Sequence, residues 1–134
     1  MEKSSLAALA AYLHNRAPAV SLIAPWVQHD EAATSIVVYG EVIEYLKGLP
    51  NYQEKYDALH TLLKEILPYQ LTYAILDMYA DIRRTLRPHH KDIGDIDTLI
   101  AATALEEHLT LVTVDNDFER VPHLKMKLVN LKAA

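Results

Sequence analysis

Cysteine is absent from the 134 residues. That excludes disulfides and thiol chemistry, and it fits a reducing compartment such as the cytoplasm. With only 3 Gly and 6 Pro, no Pro/Ser/Gly stretch marks a linker or a second domain, and neither a Gly-rich phosphate cradle nor a Gly-x-Ser-x-Gly elbow occurs. The seven His residues are scattered without a His-x-x-x-His pair, which argues against structural zinc. Long apolar runs are missing too. The opening MEKSSLAALAAYLHNR carries a lone Lys and a short Ala/Leu run, a weak signal peptide that is too short to cross a bilayer, so the chain is expected to be soluble and free of membrane. Positive charge is scarce: at −5 net, the chain does not read as a generic nucleic-acid binder. Clustered acids change that inference, because carboxylates holding Mg2+ or Mn2+ present positive charge to phosphate.

What is present describes one domain spanning residues 1–134. A chain of this length buries roughly two-thirds of its unfolded surface, and its 51% hydrophobic content supplies a core. Short helices are expected at Leu6 to Leu13 and Pro18 to Val27, then a small-residue strand at Ala32 to Ile36. A helix from Val37 to Lys47 keeps Val38, Val42, Tyr45, Leu46 and Leu49 at helical spacing, and Gly48 and Pro50 stop it. Tyr52 to Glu65 reads as an amphipathic helix and Leu67 to Leu71 as a brief strand. Thr72 to Leu86 is helical up to Pro88. Asp97 to Glu107 is an apolar helix, Leu109 to Val114 a strand apolar on both faces, and Met126 to Leu131 a last strand. Helices alternating with short buried strands predict an α/β fold, a three-layer α/β/α sandwich with a mostly parallel central sheet.

Such sheets bind ligands at the carboxyl ends of their strands. Asp115, Asn116 and Asp117 follow the Leu109 to Val114 strand, and the short connection through His108 returns Asp97 toward the same end. Glu41 borders the apolar stripe of its helix, roughly one turn past the first strand, and is expected to point over the sheet edge toward Asp97 and Asp115. Each acid has an ordinary alternative. Asp97 competes with Asp95 and Asp92 for a helix-capping role, Asp115 and Asp117 suit a turn, and Glu41 suits an amphipathic boundary. Their coincidence at one sheet end favours a site. Arg83, Arg84, Arg87, His89, His90 and Lys91 form the main basic cluster, suited to an RNA backbone or, for the arginines, to a helix dipole. Tyr12, Tyr45, Tyr52, Tyr56 and Tyr79 fall on helical stripes and read as core or partner surface.

The tract Ile93-Gly94-Asp95-Ile96-Asp97-Thr98-Leu99-Ile100-Ala101-Ala102, followed by Leu111-Val112-Thr113-Val114-Asp115-Asn116-Asp117-Phe118-Glu119-Arg120, resembles the C-terminal half of PIN domains of the VapC toxin type. Thr34 to Val42 resembles that family's strand-to-helix junction with its second acid, and Ile82 to Leu86 the helix before the third. The resemblance covers roughly residues 12 to 131. It implies a metal-dependent endoribonuclease with Mg2+ or Mn2+ held by Glu41, Asp97 and Asp115, Asp117 nearby as a fourth catalytic acid, and Thr113 supporting the site by a side-chain hydrogen bond. An RNA substrate, a cognate antitoxin and a homodimer are implied with it. One departure stands out. The family begins with a hydrophobic strand and a Leu-Asp-Thr-Asn type turn, and here Ser4 or Ser5 falls where the first aspartate belongs, with only Met1, Glu2 and Lys3 left for the strand. The missing strand and acid predict impaired cleavage, or a non-catalytic PIN-like protein that pairs with an antitoxin or with itself. A receiver-type phosphoacceptor domain would need an acidic pair after an early strand and a Lys after a late one, and neither is visible.

Overall fold

The computed structural model describes residues 33–66, 68–113 and 115–128. The expected helices at Leu6 to Leu13 and Pro18 to Val27, and the question of a first strand, lie outside them. β1 (Thr34–Ser35) runs directly into α1 (Ile36–Lys47). Ser35 makes that abrupt change possible: its backbone is extended while its hydroxyl accepts from the Val38 amide at 3.1 Å, satisfying one of the free donors of the first turn. Val38, Val42 and Leu46 form the buried stripe of α1, but Tyr45, expected on it, is 45% exposed. Gly48 closes the helix with its amide on the Tyr45 carbonyl.

α2 (Tyr52–Leu62) stops short of the predicted Glu65, because the ladder tightens into three-residue turns where Lys64 bonds to Thr61 and Glu65 to Leu62. β2 (Pro68–Tyr69) pairs in parallel with β1, Thr34 opposite Pro68 and Ser35 opposite Tyr69. α3 (Tyr73–Leu86) starts at its cap Thr72, whose hydroxyl accepts from the Ile75 amide. Pro88 has no N–H for the α-helical ladder, and the chain passes into a 3-10 turn, Arg87–His89, ending at His90 with φ 55°.

α4 (Asp95–Glu106) begins two residues before the expected Asp97 and is enclosed on most sides: Thr98, Ile100, Ala101, Ala102, Thr103 and Ala104 are all buried. Its two buried threonines hydrogen-bond back to helix carbonyls, Thr98 to Gly94 and Thr103 to Leu99, each at 2.8 Å, so neither hydroxyl is stranded. Its main packing partner is α3. β3 (Leu111–Thr113) is buried at every position and pairs in parallel with β4 (Met126–Leu128), Leu111 opposite Met126 and Thr113 opposite Leu128. Both strands are shorter than the sequence suggests; part of each predicted span lies outside the described residues. The fold is α/β with parallel strands, as expected, though among the described residues the strands form two parallel pairs rather than one continuous sheet. Thr34, on β1, holds a buried hydroxyl without a hydrogen-bond partner.

Candidate acidic active site

Four carboxylates are delivered by three local structures. Glu41 sits in the second turn of α1, beside buried Val42. Asp97 lies in the first turn of α4 and is half-buried. Asp115 and Asp117 follow β3, where Asp115 caps a 3-10 turn, Asn116–Arg120, by accepting from the Asp117 amide at 2.9 Å. Phe118, 2% exposed, drives that turn into the core and so fixes where the two acids stand. The Asp115 amide donates to Thr113 Oγ1 at 3.1 Å, the supporting hydrogen bond expected of Thr113.

Electrostatics tie the set together. Burial raises the Asp97 carboxyl above the usual carboxylate range, and the negative charges of Asp115 and then Asp117 push it further. Glu41, though exposed at the surface, is raised as well, first by partial desolvation, then by Asp97 and Glu44. Asp97 is therefore the middle of a chain of mutually repelling acids. The positive end of α4 acts in the opposite sense, stabilising a carboxylate in the first turn.

The capping alternative for Asp97 does not hold. Gly94 occupies the cap position of α4 with no side-chain cap. Asp95 is drawn to α3, where it ion-pairs with Arg83 and accepts from the Tyr79 hydroxyl at 3.3 Å, with the guanidinium 5.6 Å from the Tyr79 ring centre. Asp97, two residues on, takes no part in this pairing and feels the charges of Asp115 and Asp117 instead. Arg83 thus leaves the expected basic cluster for a structural pairing. No local pattern announced this pair, which lies across the turn between two helices. Arg120 was legible: it stands three residues after Asp117, and the two form an ion pair at 3.5 Å.

The donor set is all carboxylate oxygen, the chemistry of hard divalent cations. Among the described residues no three His, Asp or Glu side chains converge into a ready metal cage. The two observations concern different ranges: carboxylates repel over many ångströms, whereas a direct metal–oxygen bond spans about 2.0–2.6 Å. Mg2+ keeps several waters and needs only one or two direct carboxylates. The chemistry of the donor set suits a hydrated cation, which Glu41, Asp97, Asp115 and Asp117 would hold directly or through water.

The sequence of residues 7–124 matches the PIN domain family. The chain belongs to that family. No curated protein matches it. Among solved structures, this PIN domain is similar to the VapBC2 structure from Rickettsia felis, bound to a DNA fragment from its promoter, at TM-score 0.83 and 21% identity over 97% of this chain and 100% of that one. VapBC-1 from nontypeable Haemophilus influenzae matches at TM-score 0.80 and 24% identity, covering 96% and 98%. FitAcB from Neisseria gonorrhoeae matches at 0.76 and 22%, covering 98% and 99%. At these identities the likeness carries the fold.

Proposed function

We propose that this PIN domain is a Mg2+- or Mn2+-dependent endoribonuclease of the VapC toxin type, restrained by a cognate antitoxin. The observation that carries the reading is the repulsive chain through Asp97, since acids held together against their own charge have a physical use once a cation neutralises them. A bound divalent ion supplies a water of lowered pKa and charge stabilisation at the attacked phosphate. Asp97, in the first turn of α4, provides the central negative charge. Asp115 is oriented from two sides, by the Asp117 amide on its carboxylate and by Thr113 on its own amide. Glu41 approaches from α1 and closes the acidic arc. The absence of cysteine supports a cytoplasmic setting, and no helix among the described residues is long and apolar enough to cross a membrane. Tyr73, 90% exposed at the start of α3 with Leu71 and Leu76 near it in sequence, supports an apolar face covered by the antitoxin or by a second copy.

Purified protein incubated with single-stranded RNA and Mn2+ tests the assignment. Cleavage that EDTA stops and Asp97→Asn abolishes is the expected result. A second reading, a non-catalytic PIN domain that only binds its partner, is favoured by the lack of a converged three-ligand cage among the described residues; wild-type protein that binds Mn2+ but leaves RNA intact would establish it.

A further inference from the structure

Beside the acids lies a surface depression of about 430 Å3 lined by Lys91, Asn116, Asp117, Glu119 and Arg120. We propose that this depression is a phosphate subsite, in which Lys91 and Arg120 hold a backbone phosphate of the RNA strand adjacent to the one presented to the acids. The proposal rests on the nuclease reading and adds where the strand lies.

Three observations carry it. First, Asp117 belongs to both places: it lines the depression, and its charge is felt at Asp97. A ligand in the depression therefore borders the acidic cluster, as a neighbouring phosphate on a single strand must. Second, two cations from separate segments meet there. Lys91 comes from the loop after α3 and Arg120 from the end of the 3-10 turn, and both side chains are exposed. A guanidinium fork matches phosphate oxygens bidentately while an ammonium acts as a point charge, and the Asn116 amide adds a donor and an acceptor suited to a ribose hydroxyl. Third, Arg120 is only loosely engaged. Its contact with Asp117 is 3.5 Å long with both side chains about half exposed, the kind of surface pair that contributes little. Exchanging it for a phosphate costs little, and it frees the Asp117 carboxylate toward the cation. Glu119 and Asp117 on the same wall oppose an anion, so Lys91 and Arg120 only balance the carboxylates of the depression. A cation bound by the neighbouring acids would tip the local balance to positive.

An acidic protein segment would use the same cations, but it needs no second group beside a metal-binding cluster. The RNA strand does.

The test is fluorescence anisotropy of a labelled single-stranded RNA across a salt series, with Ca2+ as the divalent ion, on wild type, on Lys91→Gln/Arg120→Gln, and on the charge-keeping Lys91→Arg/Arg120→Lys. The neutral double variant should raise Kd roughly tenfold or more near about 0.1 M salt and flatten the log–log salt slope by about 0.7, the share of one lost single-strand phosphate contact. The charge-keeping variant should stay within a few-fold of wild type, and Mn2+ affinity by calorimetry should not fall in either variant, since Arg120→Gln releases Asp117. Wild-type binding that the neutral variant retains, with the same slope, overturns the subsite and leaves the nuclease reading standing. Wild type that binds no RNA overturns both. Poly-L-glutamate that binds wild type but not the neutral variant, while RNA does not discriminate between them, would assign the depression to an acidic protein partner and overturn the proposal.

Discussion

The two ends of the α4–β3 unit are built on opposite principles. At the end where α4 stops, every exposed helix group that can be satisfied is satisfied. The Leu109 amide bonds to the Ala104 carbonyl at 2.8 Å and the His108 amide to Leu105 at 3.3 Å, with His108 left-handed at φ 57° and Leu109 buried behind it, a Schellman closure. At the other end α4 starts on a glycine without a side-chain cap, and its acid Asp97 faces the charges of Asp115 and Asp117. One end spends its residues on stability and the other gives stability up. The difference is what the proposed site rests on, because perturbed, mutually repelling groups cluster at functional sites.

The largest effect is expected from Asp97→Asn. Removing the central charge should lower RNA cleavage by at least about a hundredfold, the scale on which loss of one electrostatic group acts in a transition state, and should remove measurable Mn2+ binding in calorimetry. The same variant should raise the melting temperature of the metal-free protein, since a repelled, partly desolvated carboxylate is gone. A lower melting temperature would mean that Asp97 serves the fold, and the contrast between the two ends would collapse.

At the satisfied end the opposite outcome is expected. Leu109, 4% exposed, closes the Schellman turn against the core, and Leu109→Ala should cost about 2–5 kcal/mol in chemical denaturation. Cleavage per folded molecule should not change. Loss of activity beyond the loss of folded protein would show that the two ends are coupled through α4.

Much of this division was legible in the sequence. Asp97 and Asp115 stood out because a buried strand with a polar turn at its carboxyl end places side chains there by topology, Glu41 because it bordered an apolar stripe, and Thr113 only through the resemblance to PIN domains. Gly48, Pro50 and Pro88 allowed the ends of α1 and α3 to be read at Lys47 and Leu86, where the structure has them. What could not be read was set by contacts between distant segments. Asp95 looked equivalent to Asp97 until Arg83, on another helix, claimed it. Tyr45 looked like core because periodicity names a stripe but not its width. β1 and β2, two residues each, are too short for any period-2 pattern, and their pairing follows from the chain path instead. His108 and His90 gave no hint of their left-handed backbone, since Gly or Asn is the usual residue there.

The pH dependence of stability sharpens the comparison at smaller amplitude. Glu41 and Asp97 have folded-state pKa values above their unfolded ones, so the folded chain holds protons that the unfolded chain releases. Their contribution to stability is fully present below the ordinary carboxylate range, near pH 4, and is lost as pH rises through the raised values. Metal-free protein should therefore melt progressively lower across that window, Asp97→Asn should flatten the trend, and saturating Mn2+ should reverse it, because the ion binds the ionised form. A trend of the same size in the variant would locate the titrating groups elsewhere.

The smallest effect belongs to His108. A non-glycine residue in the left-handed region carries a penalty of roughly 1 kcal/mol, and glycine at the same place removes that penalty while adding freedom to the unfolded chain. His108→Gly should accordingly change stability by less than about 1 kcal/mol, in the stabilising direction. His108→Val, whose branched Cβ suits that conformation poorly, should lower it by about 1–2 kcal/mol. The pair separates backbone from side chain: His108 borders a small cavity of about 90 Å3 with His123 and Lys125. If the glycine variant lost as much stability as the valine one, the imidazole itself would be holding that end together. The satisfied end would then depend on side-chain packing as much as on its hydrogen-bonded turn.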